Sequence, residues 1–150
     1  MLDVGRAAPD FSLEEITGKR WSLGANLENG PALAVFFKIS CPTCQLTLPF
    51  MERLRSKVEV VGISQDDSVS TAEFLDYFRI TFPVLIDPAG YAVSKSYGLT
   101  NVPSMFLIEN SGLISWALNG FHRADLEGLA ARLGTTLFRD SDKVPAMKPG

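Results

Sequence analysis

Apolar residues fall into short runs separated by polar, glycine- and proline-bearing stretches, and the runs alternate between strand-like and helix-like periods. "PALAVFFKIS" (31–40) is apolar without a break from Ala32 to Phe37, the pattern of a strand covered on both faces. "PTCQLTLPFMERLRSK" (42–57) follows at once and predicts a helix carrying Leu46, Phe50, Met51 and Leu54 inward, with Pro42 in its first turn and Pro49 as a kink. "VEVVGISQ" (58–65) predicts a second buried strand, and "SVSTAEFLDYFRI" (68–80) a helix with Ala72, Phe74, Leu75 and Phe78 facing in. "TFPVLIDPAG" predicts another short strand closed by Asp87-Pro88, and "YAVSKSYG" (91–98) a short helix. Two strands around Asn110-Ser111-Gly112 are expected within "VPSMFLIENSGLISWALNGF" (102–121). "RADLEGLAARLG" (123–134) predicts a last helix with Leu126, Leu129, Ala130 and Leu133 inward and Gly134 as its stop. Near the start, "DFSLEEITGKRWSL" (10–23) predicts a hairpin about Thr17-Gly18.

Parallel strands joined by helices must be covered on both faces, and the terminal hairpin adds antiparallel strands to the same sheet. The predicted class is α/β: a three-layer α/β/α sandwich with a mixed central sheet. With 150 residues, one domain is expected over 1–136, followed by a polar, frayed tail over 137–150. Composition narrows the function. A formal charge of −3 with 14 thinly spread basic residues argues against nucleic acid. The longest apolar run is far short of the roughly 20 residues that span a bilayer, so no membrane segment is expected. Without a basic stretch ahead of an apolar core, the chain as given reads as cytoplasmic, or as periplasmic if a leader or anchor has been removed.

The only two cysteines, Cys41 and Cys44, stand at the predicted strand-to-helix junction. In such sheets, sites gather where parallel strands end and helices begin. Over the first turn of a helix, unpaired N–H groups and the positive end of the macrodipole favour negative charge on Cys41, making it the attacking sulfur. Cys44, one turn on, is placed to resolve a mixed disulfide. Pro42 removes one donor while its fixed φ suits the turn. Lys38, three residues before Cys41, is a candidate source of positive potential. A four-ligand zinc site would need two more Cys or His, and only His122 exists, so a metal would require carboxylates or a second chain. A pair of inert core cysteines, and a peroxide-reducing thiol with its partner, are the other readings the residues leave open.

"GRAAPDFSLEEITGKRWSL", "FFKISCPTCQLTLP", "VVGISQDD", "FPVLIDPAG" and "VPSMFLIENSG" occur in that order, and together they resemble the redoxin branch of the thioredoxin-fold superfamily. This branch holds the alkyl hydroperoxide reductase/thiol-specific antioxidant (AhpC/TSA) proteins and the TlpA-like thiol-disulfide oxidoreductases. The resemblance spans about residues 5 to 134. It implies a thioredoxin-like fold with an N-terminal hairpin and a central insertion. It further implies that Cys41 and Cys44 are the redox pair, that Pro49 is the helix-kinking proline, and that Val102-Pro103 is the loop whose proline is cis. There the Val102 backbone would meet an incoming peptide, with Pro42 and Thr43 beside it.

This chain also departs from its relatives. Ser40 stands where a tryptophan often does, Val35 where thioredoxins keep a buried acid, and Thr47 where TlpA-like proteins often keep a glutamate. The proline, threonine and arginine with which peroxiredoxins hold peroxide fall on Ala34, Lys38 and Pro103. The sequence therefore predicts a monomeric thiol-disulfide oxidoreductase acting on a protein disulfide or dithiol, without cofactor or metal. A thiol peroxidase and a redox-inert binding module are the alternatives. His122, at the end of the last predicted strand, is a candidate neighbour of the pair.

Overall fold

The computed structural model describes residues 1–150. Ser12–Glu14 (β1) and Arg20–Ser22 (β2) pair antiparallel with Leu13 opposite Trp21, forming the expected N-terminal hairpin. A short helix not expected from the sequence, Leu23–Leu27 (α1), follows it; its two buried residues, Leu23 and Leu27, stand four apart, a single turn too short to set up a helical period. Ala32–Phe37 (β3) leads into Pro42–Glu52 (α2), and Glu59–Ser64 (β4) into Ser68–Phe78 (α3). Val84–Ile86 (β5) is the strand expected as the insertion, and Ala92–Ser96 (α4) follows it. The strands Ser104–Ile108 (β6) and Ile114–Asn119 (β7) and the helix Arg123–Arg132 (α5) complete the expected order, with a short strand that was not expected, Phe121–His122 (β8), between β7 and α5.

The main sheet runs β5-β4-β3-β6-β7. Its β5, β4 and β3 are parallel, while β6 is antiparallel to β3 and β7 to β6. Alternation along β3 sends successive side chains to opposite faces. Phe37 packs on Phe74 of α3, while Phe36 packs on Tyr97, at the end of α4, and on Phe106. Tyr97 in turn meets Phe11, which stacks on Trp21 of the hairpin, so the hairpin and the end of α4 cover the face opposite α3. At Gly62 a Cβ would fall 3.1 Å from the Phe82 ring and 3.2 Å from the Phe37 ring, a tight fit on the α3 face that a side chain could enter only if those rings gave way by a few tenths of an ångström.

Two expectations need correction. Ala72 is exposed, and Thr71 takes the inward place, its hydroxyl 2.8 Å from that of Ser64. Polar residues can occupy an inner helical position when they satisfy one another, and apolar periodicity misses them.

Residues 137–150 are also not frayed. Leu137 is 2% exposed and Phe138 packs edge-on against Phe50 at 4.8 Å between ring centroids. Arg53 donates to the Leu137 carbonyl at 3.0 Å and to both carboxylate oxygens of Asp142 at 2.7 and 3.1 Å. Met147–Lys148 (β9) then pairs antiparallel with β8. Two apolar residues in a polar segment carry no periodicity, yet they suffice to anchor it once a cavity between α2 and β8 receives them.

Leu137→Ala should cost about 2–5 kcal/mol of unfolding free energy, as buried leucine truncations do, with a lowered urea midpoint as the readout. A frayed tail would leave the midpoint unchanged. The Arg53 guanidinium holds the Asp142 carboxyl down at about 2. A carboxylate depressed in this way stabilises the fold above its unfolded value of about 4 and loses that effect as pH falls through the folded value. The stability difference between the native chain and Asp142→Asn should therefore vanish from about pH 4 down to pH 2, read as converging urea midpoints.

Candidate active site

Strand β3 ends at Phe37 in the middle of the sheet, at the boundary between its parallel and antiparallel halves. The chain must turn out of the core there, and residues 38–41 make that turn. Gln45 donates to the Ile39 carbonyl at 2.9 Å, and Asp66 accepts from the Ile39 N–H at 2.8 Å. Asp66 is itself held by its N–H to the Ser64 hydroxyl. The turn is thereby clamped from α2 on one side and from the end of β4 on the other.

Cys41 is the N-cap of α2, with Pro42 as the first helical residue. N-caps normally offer an oxygen to the free N–H groups of the first turn. Here the cap is sulfur: the Cys44 N–H donates to Cys41 Sγ at 3.1 Å. Cys41 is partly exposed and both thiols are free. Cys44 is fully buried, and its thiol is pushed far above the ordinary range, first by burial and then by its hydrogen bond to Cys41. The Asp66 charge adds to the upward shift, and the Lys38 backbone opposes it.

The Val102–Pro103 bond is cis, and the Val102 carbonyl accepts from Cys41 Sγ at 3.5 Å. A polar network holds this loop. Asn101 donates to the Asn119 side chain at 3.0 Å, Asn119 donates to the Ser104 hydroxyl at 2.9 Å, and Ser104 donates to the Asn101 carbonyl at 2.8 Å.

The structure thus brings Cys41, Pro42, Thr43, Cys44, Val102 and Pro103 together. The remaining expected residues fall elsewhere or act differently. The Lys38 side chain is exposed and reaches neither sulfur by a hydrogen bond or ion pair; its backbone bears on Cys44 instead. Thr47 is buried and donates to the Thr43 carbonyl at 2.7 Å, which commits its hydroxyl to the helix. Pro49 lies inside α2, where it removes one helical N–H. His122 pairs through its backbone with Met147, and its ring makes no hydrogen bond. No group of three or more metal-binding side chains occurs, and no helix is long and apolar enough to cross a membrane.

Sequence reasoning missed Gln45, Asp66, Asn101 and Asn119. A usable signal existed for Asp66 alone. Two acids follow β4 in "SQDD", and the neighbouring parallel strand's end must lie beside the end of β3.

The AhpC/TSA family model matches residues 4–117. The chain is 28% identical over 125 residues to the thiol-disulfide oxidoreductase ResA of Bacillus thuringiensis subsp. konkukian, covering 79% of this chain and 71% of that one. It is 29% identical over 121 residues to the thioredoxin-like protein YneN of Bacillus subtilis, covering 75% and 69%. Among solved structures, a Chlorobium tepidum chain described as the thiol:disulfide interchange protein DsbE superposes with a TM-score of 0.78 at 29% identity, over 89% of this chain and 96% of that one. The peroxidoxin BcpB of Mycobacterium tuberculosis superposes at 0.77 and 22% identity, covering 89% and 97%, a likeness of fold. The fold is thioredoxin-like, with the mixed sheet and flanking helices expected.

A buried thiol held protonated should resist alkylation. Iodoacetamide at neutral pH is expected to modify Cys41 more than about tenfold faster than Cys44 in the native chain. Peptide mass mapping against time would check this, and the difference should disappear in denaturant.

Proposed function

The chain belongs to the AhpC/TSA family, and we propose that it is a thiol-disulfide oxidoreductase in which Cys41 attacks a protein disulfide and Cys44 resolves the product. The observation that carries this reading is the asymmetry of the pair: one sulfur is partly exposed at the head of α2 and receives an N–H, and the other is buried beside it as a thiol. The Cys41 thiolate forms a bond to one partner sulfur, and the other partner sulfur leaves as a thiolate. That leaving thiolate takes the Cys44 proton. The Cys44 sulfur then attacks Cys41, closing the Cys41–Cys44 disulfide and releasing the partner's second sulfur as a thiolate, which takes its proton from solvent. Two electrons pass from the chain to its partner, and the same steps reversed oxidise a dithiol.

The relatives named thiol-disulfide oxidoreductase support the same assignment. Val102 and Pro103, with Pro42 and Thr43 opposite, are the surface against which the partner's backbone would lie. The places where peroxiredoxins hold peroxide support no competing assignment. Ala34 is buried inside β3, Pro103 is in the cis loop, and Lys38 offers neither hydroxyl nor guanidinium.

Cys44→Ser should accumulate a stable mixed disulfide through Cys41 when given an oxidised protein substrate, detected by non-reducing electrophoresis and mass spectrometry. Adducts that persist in Cys41→Ser, or none in Cys44→Ser, would sink the assignment. Stopped-flow mixing with hydrogen peroxide should show slow thiol loss, and fast loss would move the reading to a peroxidase.

A further inference from the structure

We propose that residues 146–150 form an intramolecular strap lying in the groove through which a protein partner would reach Cys41, so that docking requires the strap to leave. Its purpose rests on the oxidoreductase reading; its test does not.

The strap touches both walls of the groove. Met147–Lys148 pairs with Phe121–His122, and the Arg123 N–H donates to the Ala146 carbonyl at 2.9 Å. Beyond the pairing, the Thr43 hydroxyl donates to the Pro149 carbonyl at 2.6 Å, which links the strap to the residue between the cysteines. Gly150 lies on the opposite wall. A Cβ there would fall 2.3 Å from the Val102 carbonyl oxygen and 2.9 Å from Asn101 Nδ2, so this approach admits glycine alone. The same Val102 carbonyl accepts from Cys41 Sγ. The floor is glycine as well: Gly120, at φ +77°, would set a Cβ 3.0 Å from the Lys148 carbonyl. An extended segment thus crosses the site backbone to backbone, and Thr43 beneath it is only 3% exposed.

Root and tip are held very differently. The root is fastened by Leu137, Phe138 and the Arg53–Asp142 pair, and Val144 packs on the core. From Pro145 to Gly150 no residue is buried. A segment anchored by a few hydrogen bonds and no apolar burial opens locally while its root stays in place. Displacement is also nearly an exchange of like for like, since an extended partner peptide could satisfy the Thr43 hydroxyl and pair with β8. Small reagents slip past such a strap, whereas a protein must move it.

The test uses the full chain with Cys44→Ser, so that Cys41 is the sole thiol. Gly150→Val drives a side chain against the Val102 carbonyl, and Lys148→Pro removes an N–H from the paired strand; neither replaces Cys41 or a residue of the groove walls. Alkylation of Cys41 is timed with iodoacetamide and with a maleimide carrying a long polyethylene glycol chain. Both variants should raise the rate with the bulky reagent about tenfold, as when an open state goes from about one molecule in ten to nearly all, and change the iodoacetamide rate less than about twofold. An unchanged bulky-reagent rate, or an equal rise for both reagents, overturns the strap. Alkylation reports access, so the result stands even if the chain proves to exchange no disulfide; failure of the mixed-disulfide trap would count against the oxidoreductase reading alone.

Discussion

Strand β3 has no solvent-facing residue: every side chain from Ala32 to Phe37 is fully buried. A strand under that constraint can lie only inside a sheet covered on both sides, and its neighbours follow from it. On one flank β4 runs parallel and requires a crossover helix; on the other β6 runs antiparallel and is joined to β7 by a hairpin. Phe36 and Phe37 send their rings to opposite faces and collect Tyr97 and Phe74 there, so one dipeptide ties both covering layers to the centre. The chain emerging at Phe37 then meets the end of the sheet, where the next helix must begin with its N–H groups unpaired. Cys41 answers that need with its sulfur.

The chemistry of the pair depends on this placement. Capping puts a backbone N–H on Cys41 Sγ, and the turn of helix that follows carries Cys44 into the core beside it. One sulfur is available and the other is stored as a thiol. The sequence resemblance leads one to expect an acid before the first cysteine or a glutamate after the second. Here those places hold Val35, which is core, and Thr47, whose hydroxyl is spent on the Thr43 carbonyl. The carboxylate that bears on Cys44 is Asp66, which arrives from the end of β4 and also pins the turn through Ile39.

The segment beyond α5 belongs to the site as much as to the fold. Arg53, projecting from the end of α2, grips both the Leu137 carbonyl and the Asp142 carboxylate, so the helix that begins at the cysteines also fixes the root of the chain that returns over them. The returning chain lies on glycine at Gly120 and brings Gly150 against Val102. These are close backbone approaches that a side chain would prevent.

Hydrophobic period and turn chemistry by themselves determined the main-sheet strands, the principal helices, the α/β class and the place of Cys41 and Cys44, because burial on two faces and the start of a helix are written in consecutive residues. The ordered motifs pointed further, to the fold family and to the Val102–Pro103 loop. Tertiary structure alone decided the rest. Ala72 and Thr71 exchanged places because a hydroxyl across the layer, on Ser64, satisfied Thr71. Lys38 acted through its backbone and His122 through strand pairing, since the direction a side chain takes depends on what surrounds it. Asp66, Asn101 and Asn119 entered the site, and residues 137–150 docked, because each depends on partners distant along the chain. Such partners become neighbours only when the sheet is assembled, and no local pattern encodes them.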